Sequence, residues 1–128
     1  MAQDKGLSSR EKVLIAAGAA DEKKGYDIII QDVHEVSSVT DYFLIVTANN
    51  NRHIVAVLDE IQEQLIKKAG VKPFSTEGAD EGFWALLDYG DFIVHVFQPE
   101  GRDYYRLEEL WNDVPTIDFV PAAREEAE

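Results

Sequence analysis

The spacing of apolar residues changes several times along the chain, and each change marks an element. Val13, Ala17 and Ala20 recur at helical intervals, forming a narrow stripe of small side chains suited to close packing. Ser8 and Glu11 precede it at the spacing of a capping box. Lys23 and Lys24 suit the last turn and Gly25 a stop. The pattern then becomes continuous. Asp27 to Val33 holds Ile28, Ile29 and Ile30, and Tyr42 to Ala48 is nearly all apolar, which reads as two buried strands joined by the polar stretch His34 to Asp41. Asn49, Asn50 and Asn51 offer an N-cap to a second helix with Ile54, Leu58, Ile61 and Leu65 on one side, ending at Gly70.

Pro73 to Thr76 reads as a short edge strand, and Glu77 to Gly82 as a flexible acidic loop. The clearest hairpin follows, Phe83 to Asp88 and Phe92 to Gln98, turning at Tyr89-Gly90. A closing helix is expected from about Asp103 to Trp111, with Tyr104, Leu107 and Trp111 on one face. The tail from Asn112, with Pro115 and Pro121 and an acidic end, is expected to be mobile. Helix, strand, strand, helix, three strands and helix imply an α/β fold: a two-layer or three-layer sandwich of one mixed sheet and flanking helices. Residues 1–111 form the domain and 112–128 the tail.

Alternation gives the hairpin two unlike faces. Phe83, Ala85, Leu87, Phe92, Val94 and Val96 make one wholly apolar face. Trp84, Leu86, Asp88, Asp91, Ile93, His95 and Phe97 make the other. A two-residue turn at Tyr89-Gly90 pairs Asp88 with Asp91, Trp84 with His95 and Leu86 with Ile93; a three-residue turn would instead set Ala85 opposite His95. Large aromatics beside a histidine and acids suit a partly wet contact surface. Helices over both faces would make His95 an ordinary core histidine.

Composition narrows the chemistry. The chain of 128 residues is 45% hydrophobic, enough for a core, and no apolar run approaches a membrane span. Met1 to Lys12 lacks an apolar segment and carries Asp4 and Glu11, so it is not expected to act as a leader. Without cysteine there are no disulfides, thiolate nucleophiles or zinc–sulfur sites. A net charge of −13 disfavours general binding to phosphate backbones. It suits attraction to a basic partner, or serves solubility alone. His34, His53 and His95 make no metal-binding pattern, and no phosphate loop or nucleophile elbow is present. Asp32 and Asp41 flank the first strand connection and are the candidate magnesium ligands; loop acids there also serve solubility. Arg102 with Tyr104 and Tyr105 could form a contact patch, or cap and pack the closing helix.

Several stretches together resemble the Iojap, or ribosomal silencing factor, family: Asp21-Glu22-Lys23-Lys24, Asp27-Ile28-Ile29, Asp32-Val33, Thr40 to Ile45, Glu77-Gly78, Trp84 to Asp91, Val94 to Phe97, and Arg102, Tyr105, Leu107, Glu108, Leu110 and Trp111. The match runs from about Ser9 to Trp111. The resemblance implies a nucleotidyltransferase-like core, and a cytoplasmic protein that binds the fourteenth protein of the large ribosomal subunit and sterically blocks subunit joining. It implies a link to late large-subunit assembly and a possible homodimer when free. No cofactor, DNA or membrane partner is expected, and at most peripheral rRNA contact. Nucleotidyltransferases need a Gly-Ser pair ahead of closely spaced acids. Glu35 to Asp41 has neither, so the catalytic motif is missing and no enzyme is expected. The rival readings are a nucleotidyltransferase-like enzyme using Asp32 and Asp41, and a pure assembly factor. The candidate partner-binding residues are Trp84, Leu86, Asp88, Tyr89, Asp91, His95 and Phe97 on the hairpin, with Arg102 and Tyr105 on the closing helix. None is assigned a catalytic or metal-binding role.

Overall fold

The computed structural model describes residues 4–78, 84–105, 113–117 and 119. Its elements run α1 (Ser9–Glu22), β1 (Tyr26–Asp32), β2 (Tyr42–Thr47), α2 (Asn51–Ala69), β3 (Ser75–Glu77), β4 (Trp84–Asp88), β5 (Phe92–Phe97), α3 (Pro99–Tyr105) and β6 (Thr116–Ile117). The six strands form one mixed sheet in the order β3-β4-β5-β2-β1-β6. Only β2 and β5 are parallel, and they lie at its centre.

Local chemistry sets the helix ends. The Ser8 hydroxyl accepts from the Glu11 amide while the Glu11 carboxylate accepts from the Ser8 amide, closing the expected capping box. Asn50 caps α2 by accepting from the His53 amide, and Gly70 closes it. The end of α1 departs from expectation. Neither lysine lies in its last turn; Lys23 is the C-cap and Lys24, not Gly25, takes the left-handed backbone with φ 67°. His53 braces this end. Its Nδ1 accepts from the Asn49 amide, so Nε2 carries the proton and donates to the Lys23 carbonyl.

The helices α1 and α2 cover one sheet face. Val13, Ala16, Ala17 and Ala20 of α1 and Ile54, Val57, Ile61 and Leu65 of α2 meet Ile30, Leu44, Val46, Ala85, Leu87, Phe92, Val94 and Val96 in a continuous core. The small residues of α1 let the helices approach closely, as the stripe required. Phe83, assigned to this face from the sequence, lies outside the described residues, as does the acidic loop after Gly78.

Two elements differ from expectation at the C-terminal end. The last helix begins at Pro99, ahead of Asp103, and its expected continuation to Trp111 lies outside the described residues. The tail is not wholly free of structure: Thr116 and Ile117 pair antiparallel with Gln31 and Ile30, and the Asp32 amide donates to the Pro115 carbonyl at 2.8 Å. These contacts add a sixth strand on the open edge of β1.

Candidate functional site

The hairpin turn sits one residue further along than expected. Tyr89 faces Phe92, its amide donating to the Phe92 carbonyl, so Gly90 and Asp91 are the central residues. Gly90 has φ 88°, a positive value that glycine adopts without the steric cost other residues would meet. The Gly90 amide donates to the Asp88 carboxylate at 2.8 Å. Trp84 therefore pairs with Phe97, Leu86 with His95 and Asp88 with Ile93. The expected pairings of Trp84 with His95, Leu86 with Ile93 and Asp88 with Asp91 are corrected by two residues. A shift of two preserves the alternation, so each strand side chain keeps its expected face.

The second face carries a cluster of four rings. The Trp84 and His95 rings stack at 6.2 Å and 22°, and the indole Nε1–H donates to His95 Nδ1 at 3.2 Å. His95 stacks on Phe97 at 6.2 Å and 8°, and Phe43 meets His95 edge-on at 5.4 Å. Exposure is graded along this face. Phe97, His95, Ile45 and Thr47 are buried, with Phe97 2% and His95 8% exposed. Trp84, Leu86, Asp88, Ile93 and Phe43 are half-buried. One end of the face is covered and the other is accessible. Burial in this apolar setting pushes the His95 imidazole down to about 4, so it is neutral at physiological pH. A Cβ on Gly78 would overlap the Trp84 carbonyl and lie 3.2 Å from ring atom Cε3, so the missing side chain lets β3 pass close to the indole.

The covered end is fastened by Arg102, which is 8% exposed. Its guanidinium donates to the Asp27 carbonyl at 2.6 Å and the Thr47 hydroxyl at 2.7 Å. Asp27 has φ 50° where the β1–β2 register breaks, and its carbonyl is taken by Arg102. Arg102 therefore binds α3 to the sheet and is not an accessible contact residue, a correction to the expectation. Two other candidates also lie apart from the ring cluster. Tyr89 is on the core face, stacked on Phe92 at 4.7 Å, and burial raises its phenol well above the usual range. Asp91 accepts from Ser9 and pairs with Lys12 at 2.8 Å, which anchors the turn to α1. The side chain of Tyr105 lies outside the described residues.

What the structure brings together is thus Trp84, Leu86, Asp88, His95 and Phe97. It adds Phe43 and Ile93, absent from the candidate residues. Ile93 could have been included from alternation alone; Phe43 needed the parallel pairing of β2 with β5. At the sheet end near α1, His34 Nδ1 lies 2.6 Å from Asp32. Burial raises the Asp32 carboxyl, but hydrogen bonds from His34 outweigh it and leave Asp32 below its ordinary value, while His34 is raised by the same bond. Asp32 is thus engaged by an imidazole. Among the described residues, no group of three histidines or acids is placed to hold a metal ion, and no helix is long and apolar enough to cross a membrane.

Comparison with known proteins gives a consistent picture. Residues 7–128 match the family described as "Ribosomal silencing factor during starvation". A Bacillus subtilis (strain 168) protein named "Ribosomal silencing factor RsfS" is 40% identical over 113 residues, 88% of this chain and 95% of its own. A Mus musculus protein named "Mitochondrial assembly of ribosomal large subunit protein 1" is 30% identical over 92 residues, 70% of this chain and 40% of its own. A crystal structure of a Chromobacterium violaceum protein superposes with a TM-score of 0.79 at 34% identity, covering 95% of this chain and 100% of that one.

Proposed function

Because the chain belongs to the ribosomal silencing factor family, we propose that it binds the large ribosomal subunit and represses translation by standing where the small subunit must join. The docking surface is the accessible part of the second sheet face, and its partner is the subunit's fourteenth protein, a basic surface. The reading is one of occlusion in the cytoplasm, without catalysis or cofactor and with at most peripheral rRNA contact. A homodimer of the free protein belongs to the same reading.

The observation that supports it best is Trp84. Its indole is half-buried and stacked in a ring cluster with His95 and Phe97, and half-buried Phe43, Leu86 and Ile93 lie on the same sheet face. Interface energy concentrates in such aromatic anchors, ringed by apolar neighbours that exclude water. The net charge of −13 gives a long-range pull toward a basic protein surface and repels rRNA.

The test is co-sedimentation with isolated large subunits. Trp84→Ala should lose on the order of 2 kcal/mol or more of binding, about thirtyfold in affinity. Its melting curve reports the fold separately. Unchanged binding by a folded Trp84→Ala would place the contact elsewhere. A role in large-subunit assembly is the second reading, motivated by the name of the mouse relative. Loss of the gene would then deplete mature large subunits during growth, whereas an occlusion factor alone would leave their number unchanged.

A further inference from the structure

We propose that His95 is a positioning residue for the docking surface: it holds the Trp84 indole in the orientation that the partner meets. This rests on the reading of Trp84 as the anchor of that surface. A half-buried tryptophan on a strand has two rotatable bonds that its neighbours must fix if the ring is to be presented in one orientation. Here its single polar atom is already engaged, donating to His95 Nδ1 at 3.2 Å, with the two rings stacked at 6.2 Å. The ring therefore offers a partner its apolar surface without bringing an unsatisfied N–H into the contact.

The imidazole is itself fixed. It lies on β5, stacked on Phe97 and met edge-on by Phe43, and is 8% exposed. Accepting at Nδ1 requires a neutral ring with its proton on Nε2. Burial among apolar rings favours that neutral form. Phe43 and Phe97 pack on His95, which holds Trp84, and Phe97 also meets the indole directly at 6.5 Å. Ordering the indole before binding removes a conformational cost that the complex would otherwise bear.

The inference is tested first on the free protein. The chain holds two tryptophans, so Trp111→Phe identifies the Trp84 indole resonance. In the wild type, nitrogen NMR should show His95 neutral with its proton on Nε2, and the Trp84 Nε1–H exchanging slowly with water. His95→Phe keeps a stacked ring and removes the acceptor; the indole proton should shift and exchange faster. His95→Asn places an amide oxygen near the site of Nδ1 and should restore slow exchange. In sedimentation with large subunits, His95→Phe should bind about three- to tenfold more weakly, and His95→Asn should recover part of that loss. A proton on Nδ1 in the wild type overturns the inference without any variant. So does a His95→Phe protein that keeps the wild-type indole exchange, or binds as the wild type does while Trp84→Ala does not. If Trp84→Ala binds as the wild type, the docking reading fails instead, and the indole exchange still reports whether His95 holds the ring.

Discussion

Replacing His95 with phenylalanine should flatten part of the dependence of stability on pH, by an amount that follows from burial. The imidazole titrates near 4 in the fold and near 6.5 when unfolded. Between those values the unfolded chain takes up a proton that the folded chain refuses. Stability from this group is therefore complete above pH 6.5 and falls as pH drops toward 4. At about 1.4 kcal/mol per pH unit, the gap is worth about 3 kcal/mol. His34, raised by Asp32, acts in the opposite sense: its contribution is complete below 6.5 and is lost as pH rises through its folded value. It is present in both proteins, as are the carboxylates, so the difference between wild type and His95→Phe isolates His95. Urea unfolding of both at intervals from pH 7 to 4.5 provides the measurement. The stability difference should move by about 2 to 3 kcal/mol in favour of the variant as pH falls. A difference constant to within about 0.5 kcal/mol would refute a buried, neutral His95.

Two further substitutions probe how the surface is held. Arg102→Met should lower stability by about 1 to 3 kcal/mol in urea unfolding, since the buried Thr47 hydroxyl and the part-buried Asp27 carbonyl lose their donor; a loss below about 0.5 kcal/mol would mean that water replaces it. Gly90→Val should cost about 2 kcal/mol in the same assay, because a β-branched residue resists φ 88°, and Gly90→Asn should cost visibly less.

Helices and strands were readable because each buries one stripe or one face, and burial writes a period into the chain. The hairpin faces survived an incorrect turn for the same reason: a slip of two leaves every side chain on its side. The turn itself was harder. Both two-residue options contain Gly90, and the structure ties Asp91 to Ser9 and Lys12 at the far end of the sequence, which no local pattern reports. Phe43 was missed because a central strand is apolar on both faces, so its sides become distinguishable only once β5 is known to lie beside it. Arg102 looked like a surface cation. Its guanidinium instead donates to the Asp27 carbonyl, seventy-five residues away, a contact no local pattern reports. The strand β6 is two residues long, too short for any periodicity to show.

The parallel pairing at the centre of the sheet bears on the order in which the molecule comes into being. Tyr42 pairs with Phe92 and Thr47 with Phe97, fifty residues later in each case. On a ribosome, at about 5–20 residues per second, the second strand emerges several seconds before its parallel neighbour. In that interval Tyr42 to Thr47, apolar on both sides, has one edge open to other chains. Such distant contacts also slow folding. Trp84 and His95 both lie on the late-arriving hairpin, so a nascent or truncated chain ending before Phe97 has no complete ring cluster. The proposed ribosome-binding surface is therefore assembled only after most of the polypeptide has been made.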